Sequence, residues 1–186
     1  MSVRPDDVDQ LAVIRLGNPV LRRAAVEVPD DLFGSDELHR LSASMVQTML
    51  SEDGVGLAAP QVAESLRLFV YWLPETDDQP GIEPRVLVNP EVRAIGDTVV
   101  EGWEGCLSIP GLRGLVPRFD RIKVKARDLE GEPMSLTADG FHARVIQHEF
   151  DHLNGTVFLD RMRSPQSLAF EQEWEEFVLA GVGDSA

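Results

Sequence analysis

The sequence is short of cysteine, of positive charge and of long apolar runs, and each shortage excludes a class of protein. Cys106 is the one cysteine among 186 residues, so no intrachain disulfide and no multi-cysteine zinc framework can form. Lys and Arg number 17 against 32 Asp and Glu, a net charge of −15. So acidic a surface repels phosphate backbones, which argues against a nucleic-acid partner. Apolar stretches such as Leu68–Leu73 (LFVYWL) fall far short of the roughly 18 residues a membrane span needs. The N-terminus lacks a signal peptide's apolar core, and Asp6, Asp7 and Asp9 are foreign to a mitochondrial transit peptide. A cytoplasmic enzyme or binding protein, with no membrane partner, is the expectation.

What is present supports a packed core. Hydrophobic residues make up 43% and charged residues 26% of the chain, and no repeat or Ser/Gly linker divides it. One domain spanning 1–186 is expected. Leu38, Leu41, Met45 and Met49 recur every three or four residues, so Ser35 to Glu52 predicts an amphipathic helix capped by Ser35. Pro74 to Pro84 is dense in turn formers and acids and predicts a surface loop. The segments 67–73, 85–89, 98–102, 121–129 and 132–137 are short and β-branched or alternating, and predict strands. Glu130-Gly131 joins the last two as a hairpin. Ala138 to Leu153 predicts a second helix, with Phe141, Val145, His148 and His152 on one face. A last helix is predicted from Ser164-Pro165 to Leu179, ended by Gly181. Its Leu168, Trp174, Phe177 and Val178 face the body, and Glu171, Glu173, Glu175 and Glu176 face water. Strands clustered before a late helix indicate an α+β fold rather than a doubly wound sheet.

His148-Glu149-Phe150-Asp151-His152 is an HExxH sequence on a predicted helix. Residues four apart lie ~6 Å apart along the axis and ~40° around it, so both imidazoles can converge on one metal ion. Glu149 sits beside the first of them, where a carboxylate can take a proton from water activated by the metal. A catalytic site of this kind needs a third protein ligand. The extended pattern HExxHxxGxxH is matched through Gly155, but Phe158 occupies the last ligand position. A carboxylate among Glu171, Glu173, Glu175 and Glu176 is one alternative, and Cys106 in Glu104-Gly105-Cys106-Leu107-Ser108 is the other. Gly54-Val55-Gly56-Leu57-Ala58-Ala59 formally fits a dinucleotide fingerprint. It follows a helix instead of a strand, and Pro60 disfavours helix after it, so no nucleotide site is expected. A glycine turn that another group can approach closely, with the Gln61 amide beside it, remains.

Three segments, GVGLAAPQ at 54–61, EGCLS at 104–108 and QHEFDH at 147–152, closely resemble the signature motifs of peptide deformylases. The likeness runs on through RLGNPVLR at 15–22 and Leu159-Asp160-Arg161, covering roughly residues 13–163. The resemblance implies small mixed or antiparallel sheets packed around a central metal-binding HExxH helix, with an N-terminal and a C-terminal helix. It implies Cys106, His148 and His152 as ligands of Fe(II), with nickel, cobalt or zinc able to substitute. The implied reaction is hydrolysis of the N-formyl group from formyl-methionine at the start of new polypeptides, with Glu149 moving the proton. Gln61 and the Leu107 N–H would stabilise the oxyanion, and Val55, Gly56, Gly105 and Arg113 would hold the substrate main chain. Val55, Phe141 and Val145 would form a methionine pocket. The implied partners are nascent formyl-Met polypeptides, met in transient proximity to the ribosome. Arg144 departs from the aliphatic residue of several family members, placing a stem on the pocket wall and a guanidinium at solvent or an acid.

Overall fold

Ser35 accepts a hydrogen bond from the Leu38 N–H, and α1 (Asp36–Ser51) starts there, as its spacing predicts. The computed structural model describes residues 8–77 and 80–180. Leu38, Met45 and Met49 are buried against Leu57, Leu68 and Val70, so the apolar stripe of α1 faces a sheet. The chain continues through β1 (Gly56–Ala58), β2 (Leu68–Leu73), β3 (Ile82–Ala94), β4 (Val99–Cys106) and β5 (Ile109–Phe119). Then come β6 (Arg121–Arg127), β7 (Pro133–Asp139) and α2 (Gly140–Leu153). A single turn, α3 (Phe158–Arg161), and a short strand, β8 (Leu168–Phe170), follow.

Two sheets result, one in the order β1-β2-β3-β6-β7 and one in the order β4-β5-β8, with antiparallel neighbours throughout. In β6, Ile122, Val124 and Ala126 are buried while Arg121, Lys123 and Lys125 are exposed, the period-2 pattern of a one-sided sheet. The predicted hairpin forms between β6 and β7. Asp128 Oδ1 accepts from the N–H groups of Glu130 and Glu132, which ends β6 at Arg127 rather than Leu129. The inner faces of β2 and β6 meet α2 through Phe69, Tyr71, Ile122, Ala143 and Ile146. Contacts of α2 reach strands of both sheets, β1, β2 and β7 in one and β5 in the other.

Three expectations need correction. β3 is longer than 85–89 and takes up Ile82–Pro84 from the predicted loop, because Leu73 pairs with Ile82. The segment 109–119 is a strand that alternation did not reveal. Two glycines and two prolines interrupt its pattern, yet it pairs with β4 from Val99↔Phe119 to Cys106↔Ile109. The C-terminal helix is displaced as well. Ser164 does cap, accepting from the Gln166 N–H, but only a short 3-10 turn at Pro165–Ser167 follows. Leu168–Phe170 then pairs with β5 as β8. Helical backbone begins at Glu171–Glu173 and widens into a π-helical stretch at Trp174–Leu179. Backbone bonding to a waiting strand outweighs weak local helix propensity here. Phe177 is 68% exposed and does not face the body, whereas Trp174 packs on Trp103. Gly181, expected to end this helix, lies outside the described residues.

Candidate metal centre

β4 and α2 bring the candidate ligands together. The register of β4 against β5 shifts between Glu104 and Cys106, where two steps along β4 match five along β5, so the extra residues lie on β5. Cys106 Sγ stands 3.3 Å from His152 Nε2. The ligand atoms of Cys106, His148 and His152 all lie within 4.8 Å of one another. His148 Nδ1 is 2.9 Å from Glu104 Oε2, which leaves Nε2 for a metal and fixes the ring. His152 Nδ1 is buried without a hydrogen-bond partner among the described residues. One thiolate and two imidazoles suit a transition metal and leave a coordination position open to water. The donor set therefore fits the implied metal.

The late glutamates do not join this group among the described residues: Glu173, Glu175 and Glu176 are exposed. Phe158 is fully buried with Ile109, Val116 and Val157, so the last position of the extended motif serves the core. Glu171, expected to face water, accepts from Arg113, whose guanidinium also lies 5.4 Å from the Trp174 ring centre.

A cavity of about 720 Å³ opens over these residues. The residues to which the resemblance assigns site roles all line it except His152, which is buried. Val145 is buried and Phe141 is 52% exposed at the rim. Gln61 is buried, and its Oε1 accepts from the Ala58 N–H at 2.8 Å. That bond turns the amide NH2 toward Ser108 Oγ (3.3 Å) and Cys106 Sγ (3.5 Å). β1 and β4 are both edge strands, one from each sheet, and residues of both border the cavity.

The glycine motif has a specific reason. A Cβ at Gly56 would stand 2.7 Å from Glu149 Cδ, and one at Gly54 would stand 2.9 Å from Leu107 Cδ1. The Glu149 carboxyl thus lies directly against the β1 backbone. Burial pushes its pKa up to about 7, with the nearby Glu104 charge adding to the shift. Its Oε2 has no hydrogen-bond partner among the described residues. A carboxyl poised near neutrality can both accept and return a proton.

Beneath the cavity lies a charge network that the sequence reading missed. Burial would raise the Glu104 pKa, but hydrogen bonds from Arg118 and His148 outweigh it and hold the carboxylate well below the usual range. Arg118 donates to both Glu104 oxygens at 2.9 Å and to Asp151 Oδ2. Arg161 donates to Asp151 as well. Glu104 lies two residues before Cys106 on one strand face, and Asp151 lies within the HExxH turn, the only sequence signals available. Arg144 reaches an acid and not solvent: its Nη1 donates to Glu104 Oε1 at 2.9 Å.

Comparison with known proteins agrees with this construction. The family model described as polypeptide deformylase matches residues 10–167. A protein named peptide deformylase 2 from a Nostoc species is 42% identical over 171 residues, 90% of this chain and 94% of that protein. A class I type b peptide deformylase from Acinetobacter baumannii, crystallised with Met-Ala-Ser, is 39% identical with a TM-score of 0.78. It covers 87% of this chain and all of that one. Peptide deformylase from Thermotoga maritima is 38% identical with a TM-score of 0.74, covering 83% of this chain and 99% of that one. With the three motifs folded onto one cavity, these likenesses make the chain a member of the polypeptide deformylase family.

Proposed function

We propose that this chain is a metal-dependent hydrolase that removes the formyl group from the N-terminal formyl-methionine of newly made polypeptides and releases formate. The observation that carries the reading is the convergence of Cys106, His148 and His152 beside the buried Glu149 carboxyl in one open cavity. The catalytic unit is one domain over 1–186, with α2 as the central metal-binding helix between the two sheets. Fe(II) is the proposed ion, which nickel, cobalt or zinc can replace. When bound, it supplies Lewis-acid polarisation and a water of lowered pKa.

The chain's own groups do the rest. Glu149 takes the proton of the attacking water and returns it to the departing amine nitrogen, a base and then an acid in one turnover. The Gln61 amide, aimed by its bond from Ala58, and the Leu107 N–H donate to the formyl oxygen, which becomes the oxyanion as water adds to the formyl carbon. Gly56 and Gly105 lie on facing edge strands, so substrate main chain can pair there and many sequences are accepted. Arg113 borders the same cleft and holds the chain beyond the first residue. Val55, Phe141 and Val145 take the methionine side chain. The Met-Ala-Ser bound to the Acinetobacter relative has the chemistry of a deformylated product and supports this reading. Among the described residues no helix is long and apolar enough to cross a membrane. Action in the cytoplasm, close to emerging chains, fits the substrate. Encounter by diffusion suits a surface of net charge −15.

The test is formate release from formyl-Met-Ala peptides by anaerobically prepared, iron-loaded protein. Cys106→Ala should lose both bound metal and turnover, and full activity in that variant would refute the assignment.

A further inference from the structure

β4 and α2 meet in a ladder of contacts with one structural rung and two rungs at the candidate ligands. Along β4 the contacts come from the carbonyls of residues 100 and 102 and the side chains of 104 and 106, and along α2 from the side chains of 144, 148 and 152. Arg144 Nη2 donates to the Val100 carbonyl at 2.7 Å. Its Nη1 contacts the Gly102 carbonyl at 3.3 Å, the Val116 carbonyl of β5 at 2.8 Å and Glu104 Oε1 at 2.9 Å. One turn on, His148 meets Glu104 Oε2 at 2.9 Å. A further turn on, His152 meets Cys106 Sγ at 3.3 Å. Two strand residues advance about 6.7 Å and four helical residues about 6 Å, so strand and helix stay in step over these rungs.

Arg144 is the rung that grips main chain. Its side chain is 11% exposed, and it satisfies carbonyls on both β4 and β5. Gly102 is shaped to it: a Cβ there would stand 2.7 Å from Arg144 Cζ. Glu104 joins this grip to the ligand shell, since its two oxygens divide between Arg144 and His148.

We propose that Arg144 is a positioning residue for the thiolate: it sets the register of β4 on α2, and thereby where Cys106 stands relative to His148 and His152. The inference rests on the ligand set given under Proposed function. It predicts that loss of the grip loosens the metal site while the fold persists, because α2 packs on β2 and β6 through Ala143, Ile146 and Leu153 and not through Arg144.

The test uses cobalt(II) as the metal probe. Wild-type protein should show a thiolate-to-cobalt charge-transfer band and intense visible bands of a low-coordinate site. Arg144→Met keeps the stem and removes every donor. It should retain the far-UV circular dichroism of the wild type, bind cobalt roughly 10- to 100-fold more weakly and shift or weaken the thiolate band. Gly102→Ala displaces the same guanidinium from the other side and should reproduce that spectrum. Combining the two should add little to Arg144→Met alone, as expected for changes that act on one contact. Wild-type affinity and spectrum in Arg144→Met would overturn the proposal, as would fully additive losses in the double variant. Should Arg144→Met fail to fold, Gly102→Ala decides, and an unaltered cobalt spectrum there overturns it. A wild-type protein without any thiolate band would instead refute the ligand set, and the proposal with it.

Discussion

Removing Arg118 probes the most concentrated charge in the molecule. Its guanidinium is 5% exposed and bridges Glu104 and Asp151, whose side chains are 4% and 6% exposed. Arg118→Met roughly preserves volume and strips the bridge, leaving each buried carboxylate with one charged partner fewer. Breaking a buried pair from one side costs about 3–5 kcal/mol, mostly through the charge left behind. Here each carboxylate keeps another donor: Arg144 and His148 for Glu104, Arg161 for Asp151. The lower end, about 3 kcal/mol, is therefore expected, a fall of roughly 6–12 °C in Tm for a chain of this size. The assay is thermal and urea unfolding at fixed metal concentration, because metal that binds only the folded state adds its own stability. An exposed pair provides the contrast: Arg22→Ala, which breaks the bond to Asp160, should cost no more than about 1 kcal/mol. A loss below about 1 kcal/mol in Arg118→Met would refute the view that the two buried carboxylates depend on Arg118.

Gly56→Ala should act on chemistry far more than on stability, since the new methyl group meets the movable Glu149 side chain. Turnover should fall at least ~100-fold with metal content intact, the scale of a displaced general base, and wild-type kcat would count against it. His142 contacts Tyr71 OH at 3.3 Å. Burial, reinforced by Arg85 and opposed by Asp139, holds its pKa below the ordinary histidine value. As pH falls below about 6.5 the unfolded chain takes this proton before the folded one does. The contribution to stability is therefore full above that pH and lost toward the lower folded pKa. Melting curves at pH 8 and 5.5 should converge more for His142→Asn than for wild type, and parallel shifts would exclude the linkage.

Local pattern explains why much of the site was legible. Ser35 and the spacing of Leu38, Met45 and Met49 specify α1 without outside help, and α2 follows equally from its apolar period. Within α2, helical geometry alone puts His148 and His152 on one side. Elements whose conformation depends on a neighbour were not legible. β5 carries Pro110, Gly111, Gly114 and Pro117, and β8 is three residues long. Both are strands because an edge was available to pair with, and hydrogen bonds supplied by another segment leave no periodic trace in the segment itself.

The sequence by itself determined the HExxH helix, the isolation of the single cysteine and the exclusion of disulfides and spanning helices. Three short motifs also sufficed to place the chain in its family. Only the tertiary structure placed Cys106, and not a late glutamate, beside the two histidines, because that depends on bringing together residues 46 positions apart. It also assigned Arg144 to a cluster of acceptors and Glu149 to a bare backbone at Gly56. The reason is physical: periodicity reports which face of an element is buried, whereas the partner of a buried charge is set by long-range packing that no local pattern encodes.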